Sequence, residues 1–218
     1  LRRPPISTLF PYTTLFRSDY ELASRLSYFL WSSCPDDTLF TLAKAGRLKN
    51  PQTLKNQTER MLRDPKSDRL VRNFTGQWLK LREVDATVPD KKLYPEYDEY
   101  LRYSLVKETE LFFDEILRKN LSIVNFIDSD FMMINDRMAR HYGVGGIKGS
   151  SFRKVKVPEN SPRGGVLTQA SIMKVTANGT DTSPILRGVW ILENIMGIHV
   201  PPPPPGVPAV EPDRKSVV

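Results

Sequence analysis

The feature that most constrains this chain is a repeated run of apolar residues at helical spacing, each run bracketed by a capping residue and by proline or glycine. Leu22, Leu26, Phe29 and Leu30 stand at i, i+4, i+7 and i+8, one face of a 3.6-residue period, behind Asp19 as a cap and ending near Ser32. Pro35 fixes a first helical position, Asp36 and Asp37 suit the positive end of a helix dipole, and Gly46 stops the segment TLFTLAKAGRL. Asn50 and Pro51 repeat the device ahead of Leu54, Thr58, Met61 and Leu62. Asp64 and Pro65 break the chain before Ser67 opens a helix carrying Leu70, Phe74, Trp78 and Leu81. The longest helix is expected from Asp98 to about Lys119, with Leu101, Leu105, Phe112 and Ile116 in one stripe and Phe113 and Leu117 widening it. A short piece follows, and then Asn135 caps NDRMARHYG, with Gly143 as the left-handed stop.

The glycines from Gly143 to Gly149 and the polar run to Ser151 shift the composition and mark the candidate domain boundary. Beyond it, FRKVKV alternates as one short strand, whose partner is expected outside this sequence. SPRGGVLTQASIMKV starts a helix after two glycines. Ser183 caps the next, with Pro184 at its first position and Ile185, Val189, Leu192 and Met196 as its inner face. Pro201 to Pro205 read as polyproline II, an extended spacer. The fold class expected is therefore mainly α: a helical bundle-like first domain at 19–147, and a smaller, truncated, mostly helical second domain at 148–212 ending in polyproline.

The two ends stand apart from this pattern. Thr8 to Ser18 read as the translation of a common DNA sequencing adaptor, and Asp213 to Val218 as that of its reverse complement followed by a stop codon. Residues 1–18 and 213–218 are accordingly set aside as adaptor-derived tails. This changes the charge argument. The full chain carries +7 with a pI near 9.5. Without Arg2, Arg3, Arg17, Arg214, Lys215 and Asp213, 27 bases face 24 acids, a net of +3. Acids and bases interleave, as in RMLRDPKSDRLVRN, and do not form the single-sign block of a nucleic-acid arm, so no nucleic-acid partner is expected. No apolar run approaches the roughly 20 residues of a bilayer span. Cys34 is the single cysteine, which leaves no disulfide framework and no CxxC or CxxCH motif in this sequence. Two histidines, His141 and His199, are too few for a multi-histidine metal centre, and no metal site is expected.

Taken together, ELASRLSYFLWSSCPDDTLFTLAKAGRL, FTGQWLKL, ETELFFDEIL, INDRMARHYGV and RGGVLTQASIMKVTANGTDTSPILRGVWILENIMGIHVPPPPPGVP resemble the large planctomycete-type multidomain proteins built from tandem domains of unknown function. The resemblance spans nearly all of 19–212. It implies an exported, extracytoplasmic protein whose other domains are this segment's partners and often include a cytochrome-c-like one. Haem c is then a cofactor of a missing domain, not of these residues. It carries over no activity and no catalytic residue.

The residues themselves offer two candidate sites. Glu108 occupies the i+7 place of the Leu101, Leu105, Phe112 stripe, where it is pulled out of water. A buried carboxylate of raised pKa serves as a general acid or base, but such a group more often pairs with an arginine, here Arg72 or Arg102. A hydrolase-like site would need a second carboxylate from the acidic loop 82–99, from Asp85, Asp90, Glu96 or Asp98. The second candidate is an anion pocket, with Arg163, Gly164 and Gly165 before one helix, Thr182 and Ser183 before the next, and Arg187 completing it. Against these stand plainer roles: capping by the glycines and hydroxyls, a cationic His141 at a helix C-terminus, a surface His199, and a Cys34 that only fills a cap region. Two functional readings follow. One is a helical binding or scaffold module, favoured if Glu108 meets an arginine under packed side chains. The other is a hydrolase-like enzyme fragment, favoured if it faces a loop carboxylate in an open cleft.

Overall fold

The structure, a computed structural model, describes residues 18–201. The polyproline run past Pro201 and both outer tails thus lie outside the described residues, apart from Ser18. In chain order the elements are α1 (Asp19–Trp31), α2 (Asp37–Lys44), α3 (Pro51–Arg63), α4 (Asp68–Trp78), α5 (Glu99–Arg118), β1 (Phe131–Ile134), α6 (Asp136–Tyr142), β2 (Arg153–Lys156), α7 (Ala170–Val175) and α8 (Pro184–Asn194). The protein is mainly α. Among the described residues no helix is long and apolar enough to cross a membrane.

Most caps are set locally. Asn50 accepts from Gln52 N and Thr53 N, Asp98 from Leu101 N, Asn135 from Met138 N and Ser183 from Leu186 N. Gly143 closes α6 in the left-handed region, at φ 69°. Two starts differ from expectation. Ser18, assigned to the tail, is the residue that caps α1 by accepting from Glu21 N, while Asp19 turns inward and accepts from Leu48 N at 2.7 Å. Asp36, not Pro35, sets the start of α2.

Three apolar clusters meet along α5, whose 20 residues span about 30 Å. The first gathers α1 to α4 around Trp31, which is capped by its own indole N–H donating to Met61 O, and it reaches α5 through Leu117. The second joins Phe112 and Ile116 of α5 to Phe131, Val166, Ile172 and Trp190. The third joins Leu101 and Leu105 to Met132, Ile134, Met138 and Ala170. Both of these draw side chains from either side of the glycine-rich stretch at 143–149, so one core runs through it.

The strand FRKVKV also finds its partner within the chain. β2 runs antiparallel to β1, with Phe131 opposite Lys156 and Ile134 opposite Arg153. The expectation of a partner outside the sequence is corrected: FMMI has no polar alternation, because three of its four side chains are buried, so it gives no period-2 signal. The inner face of α8 is corrected as well. Trp190 is its buried residue, whereas Ile185 and Met196 are 70% and 59% exposed. Phe29 of α1 likewise faces out. Arg163-Gly164-Gly165 precede a 3-10 turn, Val166–Thr168, and α7 begins only at Ala170.

Gly165 is required by this path. Its φ is +62°, and a Cβ there would lie 2.5 Å from Phe126 O and 2.6 Å from Ile127 C. A non-glycine residue at such a φ costs about 1–2 kcal/mol before any clash is counted. Gly165→Ala is expected to lose at least that stability, seen as a lower urea midpoint with an unchanged slope; an unchanged midpoint would show that the backbone at 126–127 yields freely.

Candidate functional site

The polar centre of the molecule is a seam on α5. Ser104, Glu108 and Thr109 are all buried on the side of α5 that meets α6 and α7. Each has a partner there. Asn135 Nδ2 donates to Ser104 Oγ at 3.0 Å. Thr109 Oγ1 donates to Gln169 Oε1 at 2.6 Å and lies 2.6 Å from Ser171 Oγ, so Ser171 supplies the proton in that second contact.

Glu108 is 1% exposed and sits between them. The Tyr142 hydroxyl at the end of α6 donates to Glu108 Oε2 at 2.6 Å and accepts from the Ala170 N–H at 2.8 Å. One phenol oxygen therefore ties α5, α6 and the first residue of α7 together. The Arg163 guanidinium lies over the Tyr142 ring, 3.7 Å from its centroid, and donates to Thr168 O at 2.9 Å. Burial pushes the Glu108 carboxyl up to about 8, against the opposing pull of the Tyr142 hydrogen bond and the Arg163 charge. Burial, and then Glu108, push the Tyr142 hydroxyl well above its ordinary value. At neutral pH the pair is thus mostly uncharged, the state that a dry environment favours.

The expected partners of Glu108 are corrected by this geometry. Arg102 binds Asp85 and Glu99, both at 2.9 Å, on the surface, and Arg72 lines an outer groove with Arg102 and Asp85. The acidic loop is occupied elsewhere too. Asp98 caps α5 and meets Arg137 Nε at 3.4 Å, the Glu96 carbonyl accepts from Arg137, and Asp90 accepts from Lys92 N. Glu108 thus lies under packed side chains, as the scaffold reading asks, but its direct partner is a tyrosine. Sequence reasoning missed Tyr142. The available signal was its place four residues after Met138, on the inward side of α6.

The anion-site residues are distributed over several places. Arg163, Gly164 and Gly165 line a small recess of about 10 Å³ beside Glu108 and Tyr142. Thr182 lines a separate cavity of about 180 Å³. Ser183 is engaged as the α8 cap, and Arg187 Nε points to Thr176 Oγ1 at 3.4 Å. The glycines serve close backbone approach, with Gly164 N donating to Thr168 Oγ1. His141, in the last turn of α6, also lines that cavity of about 180 Å³ and is held below the ordinary histidine value by burial and by Arg163 and Arg137. His199 is 85% exposed, its Nδ1 4.0 Å from Glu193. Cys34 is exposed and lies 3.3 Å from the Tyr28 hydroxyl. No group of His, Cys, Asp and Glu among the described residues is arranged to hold a metal ion.

Residues 18–144, from the α1 cap to just past the left-handed stop of α6, match the family PSD4, a protein of unknown function (DUF1592). The chain belongs to the PSD4 family. Residues 163–217 match a second family in tandem, PSCyt3, a protein of unknown function (DUF1588), in a match that runs into the 213–218 stretch. Neither a curated protein nor a solved structure matches the chain. In this PSD4-family chain, the Tyr142 hydroxyl thus joins a helix from the first match to the α7 amide of the second.

The raised Glu108 value has a defined consequence for stability. The folded state holds this proton more tightly than the unfolded chain, so the contribution is fully present below about pH 4.5 and is lost as pH rises towards about 8. The slope approaches about 1.4 kcal/mol per pH unit in that window. Glu108→Gln, uncharged throughout, is expected to flatten this dependence and to exceed the parent in stability near pH 8. Parallel pH profiles for the two proteins in urea unfolding would contradict it.

Proposed function

We propose that this chain is a helical scaffold module that holds neighbouring domains of a longer, extracytoplasmic, cytochrome-c-linked protein in fixed relation. The observation that carries this reading is the employment of Glu108. The one strongly perturbed acid of the described residues is enclosed, hydrogen-bonded by Tyr142 and used to join the segments matched by the two families. A general acid must reach a reacting atom, and this one faces a recess with room for no more than about a single water.

Two further points support the scaffold. The tandem arrangement of PSD4 and PSCyt3 segments fits a multidomain chain, and the abbreviation in the second name agrees with a cytochrome link. In the sequence α8 is followed by the run Pro201 to Pro205, a composition that suits a link between domains. Haem c belongs, on this reading, to another domain, and the partners of this module are the other domains of its own chain.

The test is the longer native chain, recovered by sequencing its genomic locus beyond both ends and expressed in its host. Cell fractionation is expected to place it outside the cytoplasm, with haem-dependent peroxidase staining and a haem spectrum that Glu108→Gln leaves unaltered. A cytoplasmic, haem-free product would overturn the proposal, as would a haem spectrum that changes with Glu108.

A further inference from the structure

The cavity of about 180 Å³ lies between α5, α7 and the two loops that precede α5 and α8. Its walls are pinned from several directions. Gly179 O accepts from Asp90 N at 2.9 Å, Thr180 O accepts from the Tyr94 hydroxyl at 2.9 Å, and Lys174 Nζ donates to Thr87 O at 2.7 Å and to Thr87 Oγ1 at 2.6 Å. Gly179, at φ +98°, lets the two loops touch, since a Cβ there would lie 2.6 Å from Val88 O. The space is thus held open by hydrogen-bonded backbone and is not a gap awaiting collapse.

The lining is almost wholly apolar and partly aromatic, from Pro89, Tyr97, Leu101, Leu105, Met173 and Ala177. An apolar cavity of about 150 Å³ takes up benzene, so this one accommodates a single ring with a short substituent. Charges of both signs also line it, Glu96 and Asp181 against Lys174. The lysine is already committed to Thr87, and among the described residues neither acid has a basic partner at salt-bridge distance. With Lys174 engaged, a carboxylate ligand would meet those two acids and no free cation, and a cationic one would have to shed its water into a lining that is almost wholly apolar.

From the size, the apolar lining and the cost of desolvating a charged ligand there, we infer that the cavity binds a neutral single-ring compound bearing one small polar group, of the phenol class. The hydroxyl of such a ligand can donate to the Glu96 or Asp181 carboxylate of the lining while its ring packs against Leu101, Leu105 and Met173. The inference stands apart from the scaffold proposal and uses none of the Glu108 seam.

The test titrates the chain with p-cresol, benzoate and benzylammonium by calorimetry, with methyl-labelled Met173 observed by NMR. Binding of p-cresol is expected, roughly tenfold or more tighter than either charged probe, with ring-to-methyl contacts to Met173. Ala177→Phe, which fills the space, is expected to abolish p-cresol binding while the helical circular dichroism is retained. Should that variant not fold, the Met173 contacts in the parent decide the point. No binding of p-cresol, tighter binding of a charged probe, or binding without contact to Met173 would each overturn the inference.

Discussion

The Tyr142 hydroxyl is the point on which the rest of the structure depends. It donates to Glu108 and accepts from Ala170 N, and so satisfies a carboxyl and an amide that are both out of reach of water. Leaving a buried polar group without its partner costs about 1–3 kcal/mol, and this single oxygen serves two of them. Its neighbours extend the same logic. Asn135 with Ser104, and Thr109 with Gln169 and Ser171, satisfy the remainder of the α5 seam. A polar interface with paired donors and acceptors accepts only one register between helices, whereas an apolar one tolerates sliding. The seam therefore orients α6 and α7 on α5, and the apolar clusters to either side supply the bulk of the burial.

That arrangement explains how two segments matching different families share one core. β1 lies before the glycine-rich stretch and β2 after it, and their pairing brings the 163–175 region back onto α5. Gly165 then permits the backbone to pass against Phe126 and Ile127, and Gly179 permits it to pass against Val88. Both are positions of backbone contact, not of ligand contact. Arg163, read from the sequence as part of an anion pocket, contributes instead through its guanidinium over Tyr142 and its donation to Thr168 O.

How much of this was legible in the sequence depends on whether the deciding interaction is local. The caps at Asn50, Asn135 and Ser183 and the stop at Gly143 are settled within four residues and were readable, while Asp98, read as the first residue of the long helix, is its cap. The burial of Glu108 was readable too, because the stripe of Leu101, Leu105 and Phe112 fixes which side of α5 it occupies. Its partner was not, since Tyr142 lies 34 residues away and only the packing of α6 brings it near. In α8 the apolar residues Ile185, Leu186, Val189, Trp190, Ile191 and Leu192 fall on every side of the helix, so periodicity does not choose a face, and contact with the second cluster selects Trp190 over Ile185, and over Met196 just beyond the helix. β1 was illegible for the same reason: burial on both faces erases the alternation that identifies a strand.

The central claim is that the seam makes the two matched segments one cooperative body, and it is tested most directly by unfolding the chain in urea while following two reporters. Trp31 reports the first cluster and Trp190 the second. Their indole N–H resonances should lose native intensity at the same urea concentration, in a single transition. If the Trp190 signal disappears at lower urea while that of Trp31 persists, the segments unfold independently and the Tyr142 relay does not unite them.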